Sequence, residues 1–173
     1  DTNTTRFLWV HYMDVHHPYV PPPQYQREFR DEPISERRAI KLRRKMIEEP
    51  DSVTDDELAD IVDLYDAEIR FCDAEIDRLV SQAKEAWEDV NVMVTSDHGE
   101  AFGEHETFSH HPNFYDEVVH IPLVFDDGDH DGEYDEFVGL MDIPPTLVDA
   151  AGLSIPESFH GETLYRLFDG DWC

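Results

Sequence analysis

Val90-Asn-Val-Met-Val-Thr95 is followed at once by Ser96-Asp97-His98-Gly99, which sets a carboxylate and an imidazole side by side behind a short apolar run. Both groups are metal ligands, and the glycine lets the chain turn sharply away. Glu100, Gly103, Glu104, His105, His110 and His111 follow closely, so that four of the ten histidines lie between residues 98 and 111. A second group, His11, His16 and His17, sits where the apolar run from Phe7 to Met13 gives way to Pro18 and Pro21-Pro22-Pro23. Histidines beside carboxylates suit metal binding and proton transfer near neutral pH. One such cluster could be a solvated polar loop. Two strand ends that both deliver histidines are harder to explain as solvation, because open α/β sheets bind ligands beyond the carboxyl ends of their strands.

The elements that must position these groups follow from pattern. Phe7 to Met13 is apolar, aromatic and short, with a proline-rich exit, which predicts a buried strand. Residues 35–49 carry mixed charge at helical spacing and read as an exposed helix that breaks at Pro50. Thr54-Asp-Asp-Glu57 is a capping box. Leu58, Ile61, Val62, Tyr65, Ile69, Cys72, Ile76, Leu79, Val80 and Ala83 follow it at helical spacing, predicting a helix of about thirty residues with one apolar stripe. Residues 90–95 read as a buried strand, residues 120–125 as a third strand, and residues 126–136 as acidic turn material. Asp142-Ile-Pro-Pro reads as an N-cap with proline in the first turn of a helix that stops at Gly152. Strands alternating with helices imply an α/β sheet, largely parallel and covered on both faces.

Composition bounds the partners. The 173 residues include 41 Asp and Glu against 13 Lys and Arg, a formal charge of -28. The acidic residues are interleaved with aromatics and aliphatics, which argues against a disordered acidic tail. Mimicry of nucleic acid is one reading of the charge. A surface adapted to high salt fits better, since at molar salt the Debye length falls to ~3 Å and carboxylate repulsion is screened. The expectation is therefore a halophilic, cytoplasmic setting, with direct binding to nucleic acid or to an anionic membrane disfavoured. No run of about 18 apolar residues occurs that could span a bilayer. Cys72 and Cys173 show no metal spacing and no disulfide framework; Cys72 falls on the apolar helical stripe and reads as a buried thiol. The sequon Asn3-Thr4-Thr5 is short and carries little. The chain opens on Asp1 and is expected to be a single domain, residues 1–173, belonging to something longer.

Six segments, in order, resemble the sulfatase family of the alkaline-phosphatase-like superfamily. They are Asp14-Val-His16-His-Pro18 through Pro22, Leu64-Tyr65-Asp66 through Leu79, and Thr95 through Glu100 with Gly103-Glu104-His105. Phe114 through Glu117, His120-Ile-Pro122-Leu, and Asp142 through Leu147 with Gly152, Pro156, Gly161 and Leu164 complete the set. The resemblance implies a three-layer αβα domain with a mostly parallel sheet of alkaline-phosphatase/sulfatase type, here a partial domain. It implies Asp97 and His98 as ligands of one divalent metal, calcium first, with manganese or zinc admitted by the imidazole. It gives His16 and His110 catalytic and sulfate-contacting roles, with His111 a further substrate contact, and makes Glu100, Glu104 and His105 orienting residues around them.

The family's nucleophile is a formylglycine made from Cys or Ser in Cys/Ser-x-Pro-x-Arg, and these 173 residues contain no such motif. Ser154-Ile-Pro156-Glu-Ser158 lacks the arginine. The implied activity is metal-assisted hydrolysis of a sulfate ester, of a small molecule or a carbohydrate, by a parent protein. The formylglycine and the N-terminal half of the catalytic domain would then lie upstream, and the fragment would be inactive alone. Two rivals remain: a phosphodiesterase or phosphoglycerol-transfer enzyme of the same superfamily, and a non-catalytic acidic domain that binds cations or a partner chain.

Overall fold

A threonine and a glutamate open the longest element. In the computed structural model, which describes residues 5–172, Glu57 N donates to the Thr54 hydroxyl at 3.3 Å and Thr54 N donates to the Glu57 carboxylate at 3.1 Å. That reciprocal cap satisfies two donors that helix geometry leaves over. In chain order the elements are α1 (Pro23–Gln26), α2 (Glu36–Glu48), α3 (Asp55–Ala86), β1 (Val92–Thr95), β2 (Ala101–Phe102) and β3 (Phe108–Ser109). They continue with α4 (Asp116–Val119), β4 (Leu123–Asp126), α5 (Ile143–Ala150) and α6 (Tyr165–Phe168). The capped helix α3 is 32 residues long, as its periodicity predicts. Asn3 of the sequon and Cys173 lie outside the described residues.

The described residues form two compact units, one made of residues 5–9, 90–97 and 123–172 and the other of residues 10–89 and 98–122. In the second, the predicted exposed helix proves amphipathic: α2 buries Ala39, Leu42 and Met46 at helical spacing. These join Ile61 and Leu64 of α3, together with Tyr19, in one apolar core. Ion pairs flank that seam. Arg30 meets Asp60 at 2.9 Å and Asp63 at 3.2 Å, Arg38 reaches Asp60 at 3.4 Å, and Lys45 pairs with Glu57. The short strands β2 and β3 pair antiparallel, Ala101 opposite Ser109 and Phe102 opposite Phe108.

In the other unit β1 pairs with β4, also antiparallel, from Val92 opposite Asp126 to Thr95 opposite Leu123. The mostly parallel sheet expected from the element order is therefore not formed among the described residues, where both ladders are antiparallel. All four β1 residues are half-buried rather than buried, because a strand with a neighbour on one side keeps an open edge. Residues 7–13 depart furthest from expectation. They join no ladder, and Phe7 and Trp9 are 71% and 68% exposed. An apolar run buries itself only where neighbouring strands or helices cover it, and none of the described residues does so here.

Helix α5 begins and ends where the sequence predicts, with Gly152 at φ 67 closing it. Asp142 occupies the cap position without capping. Its carboxylate accepts from Gly139 N (2.7 Å) and Glu162 N (2.9 Å), tying the closing segment back to the helix start. Thr146, fully buried, donates to the Asp142 carbonyl at 2.6 Å and accepts from Leu164 N at 2.9 Å. No described helix is long and apolar enough to cross a membrane.

Leu64 is among the most completely buried side chains. Leu64→Ala is expected to cost about 2–5 kcal/mol, the range for deleting a packed leucine, read from the midpoint of urea unfolding. A loss below about 1 kcal/mol would mean that the α2–α3 seam is not the core.

Candidate functional site

Residues 14–20 and 98–110, far apart in sequence, bring four histidines together. The rings of His98 and His110 stack at 4.0 Å, His17 lies 6.2 Å from His110, and His16 lies 4.5 Å from His17 and 6.3 Å from His110. The chain reaches this arrangement through local backbone choices. Gly99 N donates to Val118 O at 2.8 Å, and a Cβ at Gly99 would stand 2.2 Å from the Glu117 carbonyl oxygen. Only glycine permits that approach. Ser109 adopts φ 67, a left-handed conformation unusual for serine, and is buried.

The hydrogen bonds fix which ring atoms carry protons. The Gly99 carbonyl only accepts, so the His98 Nδ1 at 2.8 Å from it must donate, which leaves the lone pair on Nε2. Arg43 Nε only donates, so the His17 Nδ1 at 3.5 Å accepts. His17 Nε2 then donates to the Ser109 hydroxyl at 3.3 Å. Burial, the leading cause, holds the His17 ring below its ordinary pKa and agrees with this neutral form. His110 Nδ1 stands 3.4 Å from Glu100 Oε1 and 3.3 Å from Ser109 Oγ. The other Glu100 oxygen accepts from the Tyr19 hydroxyl at 2.9 Å. Burial first, then the Glu100 charge, push the Tyr19 phenol far up, so it remains a donor.

Of the residues singled out from sequence, His16, His98, Glu100 and His110 meet in this one unit. Glu104, His105 and His111 do not join them. Glu104 accepts from Phe102 N and shapes its own turn, His105 stacks on Tyr115 at 3.7 Å with Glu117 at 3.5 Å, and His111 is exposed. His105 sits at φ 53 between Gly103 and Thr107, and that turn carries its ring toward Tyr115. Asp97 lies two residues beyond β1 and is exposed. Cys72 is half-buried rather than buried, its Sγ 3.9 Å from the Asp14 carbonyl.

Ser109, Glu68, Tyr19 and Arg43 were not singled out for the site from sequence. Ser109 bridges two histidines and gives no local signal. Glu68 does, because it falls on the buried face of α3 between Leu64 and Cys72, where an apolar residue is expected. Its carboxylate accepts from Val20 N at 3.0 Å and His16 N at 3.3 Å.

The tautomer of His98 suits a metal ligand. Yet among the described residues no group of three or more His, Cys, Asp or Glu side chains is placed to hold an ion. The residues present do not by themselves fit a metal centre.

Solved structures share the fold. A phosphonate monoester hydrolase from Silicibacter pomeroyi superposes over 92% of this chain and 34% of its own, with a TM-score of 0.62 at 22% identity. The fold is thus a partial α/β domain of the alkaline-phosphatase and sulfatase type. The sulfatase family model matches residues 1–153, and the chain belongs to the sulfatase family. The uncharacterized sulfatase YidJ of Escherichia coli K12 is 30% identical over 166 residues, 90% of this chain and 33% of that protein. Arylsulfatase K of Homo sapiens is 36% identical over 78 residues, 44% of this chain and 14% of that protein. The chain spans about a third of the length of YidJ.

Two outcomes follow from this geometry. Gly99→Ala should displace His98 and Glu100, because the obstructing atoms are backbone; the readout is a shift of the His98 and His110 ring signals by NMR together with a lowered Tm. Unmoved signals would refute the close approach. Burial first, and then the Asp14 charge, push the Glu68 carboxyl up from 4.5 to about 7, against the pull of its two N–H donors. The folded chain holds this proton to higher pH than the unfolded chain, so its contribution to stability falls as pH rises from about 4.5 to about 7 and is level above. Relative to Glu68→Gln, the wild type should lose up to about 3 kcal/mol of unfolding free energy across that window. Parallel pH–stability curves would contradict it.

Proposed function

We propose that this chain is the histidine-bearing portion of a sulfatase catalytic domain whose complete protein hydrolyses a sulfate ester of a small molecule or carbohydrate. The observation that carries the reading is the convergence of His16, His17 and His98 on His110, with ring centroids 6.3, 6.2 and 4.0 Å from it, in a chain of the sulfatase family. In a protein of charge -28, a group that binds an anion must supply local positive potential. Exposed His16, and Arg43 beside His17, can do so here.

His110, with Nδ1 turned to Glu100, presents Nε2 to a substrate. From there it can hold a sulfuryl oxygen or pass a proton to the departing alkoxide. His16 would bind the same oxygens. Asp97 and His98 are offered, from their motif, as two ligands of a divalent ion, with calcium first and manganese or zinc admitted by the imidazole. Two side chains do not make that site, and the formylglycine nucleophile has no motif in these 173 residues. Both would come from the rest of the catalytic domain.

The test compares the 173-residue chain with the complete protein on a nitrophenyl sulfate. The chain alone should give no turnover. In the complete protein, His110→Ala should lower kcat by about 10²–10⁴, the usual weight of a general acid. A loss under about tenfold would remove His110 from the reaction. Turnover of a phosphodiester in preference to the sulfate would favour the phosphoester branch of the superfamily.

A further inference from the structure

We infer that Glu68 is a positioning residue whose carboxylate clamps the backbone on both sides of the His16–His17 pair and sets where those two rings stand. Its Oε2 accepts from His16 N and its Oε1 from Val20 N, so one side chain closes over the residues that carry both histidines. Those residues belong to no helix or strand, so these two amides have no ladder to hold them. The anchor itself is rigid, because Glu68 is 4% exposed on α3, one turn beyond Leu64 in the core.

Chemistry explains why the residue is a carboxylate. Two inward-facing N–H groups need two acceptors, and only Asp and Glu offer two equivalent oxygens without a donor between them. An apolar side chain would continue the α3 stripe but leave both amides unpaired, at the cost of burying unsatisfied donors. The groups that face Glu68 sharpen the point: Asp14, His16 and Tyr19 from the clamped segment and Cys72 from its own helix include no Lys or Arg. Among the described residues the carboxyl is thus buried with no Lys or Arg named beside it, an expense that a purely structural position on this helix face would avoid.

The inference rests on the reading of His16 as a substrate-facing group for its purpose, but the clamp is tested without any ester. In the full chain, Glu68→Gln keeps shape and volume and leaves a single acceptor. It should raise amide exchange at His16 or Val20 at least tenfold while exchange at Ile61 and Leu64 changes little. The imidazole signals of His16 and His17 should move while those of His105 stay. Glu68→Ala should release both amides. Ring signals of His16 and His17 left in place by Glu68→Gln, or exchange raised uniformly along the core, would overturn the clamp and leave Glu68 an ordinary buried acid. Should Glu68→Ala not fold, Glu68→Gln decides the matter alone. Separately, inorganic sulfate that fails to shift the wild-type His16 signal would count against the proposed sulfate site while leaving the clamp standing.

Discussion

The histidine arrangement depends on one buried seam, where Leu42 and Met46 of α2 meet Ile61 and Leu64 of α3. Tyr19 belongs to that same core and also reaches Glu100, so a hydrophobic contact and a polar one share a single side chain. The consequence is mechanical. The loop that carries His16 and His17 is fastened by Tyr19 and by Glu68, and both fastenings end on α3 or on the segment after His98. Without the seam, four histidines would be scattered over flexible backbone, and their rings would not lie within stacking distance of one another.

Electrostatics act on a background that disfavours them. A chain with 41 acidic residues and 13 Lys and Arg must spend its cations carefully. Arg30, Arg38 and Lys45 serve the α2–α3 seam through Asp60, Asp63 and Glu57. The Glu57 carboxyl is held down to about 2, by the hydrogen bond from Lys45 first and the Thr54 amide next. Arg43 is placed otherwise. It stands at His17, where a guanidinium selects the ring's tautomer as well as supplying charge.

Much of this was legible in the sequence, and the boundary of legibility is physical. The capping box and the stripe from Leu58 to Ala83 predict α3 because a helix is specified by local donors and a 3.6-residue period. The turn after Thr95 and the stretch before Pro18 each carry a group of histidines, and the sequence marks them as a candidate site because those residue types are costly to place without use. The fate of residues 7–13 was not legible, since an apolar run predicts a buried strand only if something covers it, and coverage is not local. The same limit hid the antiparallel pairing of β1 with β4, because strand direction is a property of a partner. Nor does proximity in sequence reveal that His105 stands apart from His98 and His110, because it says nothing about a turn at φ 53 that carries a ring away. Glu68 was readable as a charge on an apolar stripe. Ser109 was not, because its significance lies in what stands beside it.

Ser109 has a consequence for how this protein can change. Its backbone at φ 67 favours glycine or asparagine, and holding serine there costs about 1–3 kcal/mol. Its hydroxyl meets two imidazoles at 3.3 Å, a service that glycine cannot provide and that bulkier residues could not fit into the buried space. Each replacement therefore trades one defect for another. Position 109 of this chain is therefore open to few residue types, even though the side chain has no chemistry of its own to perform.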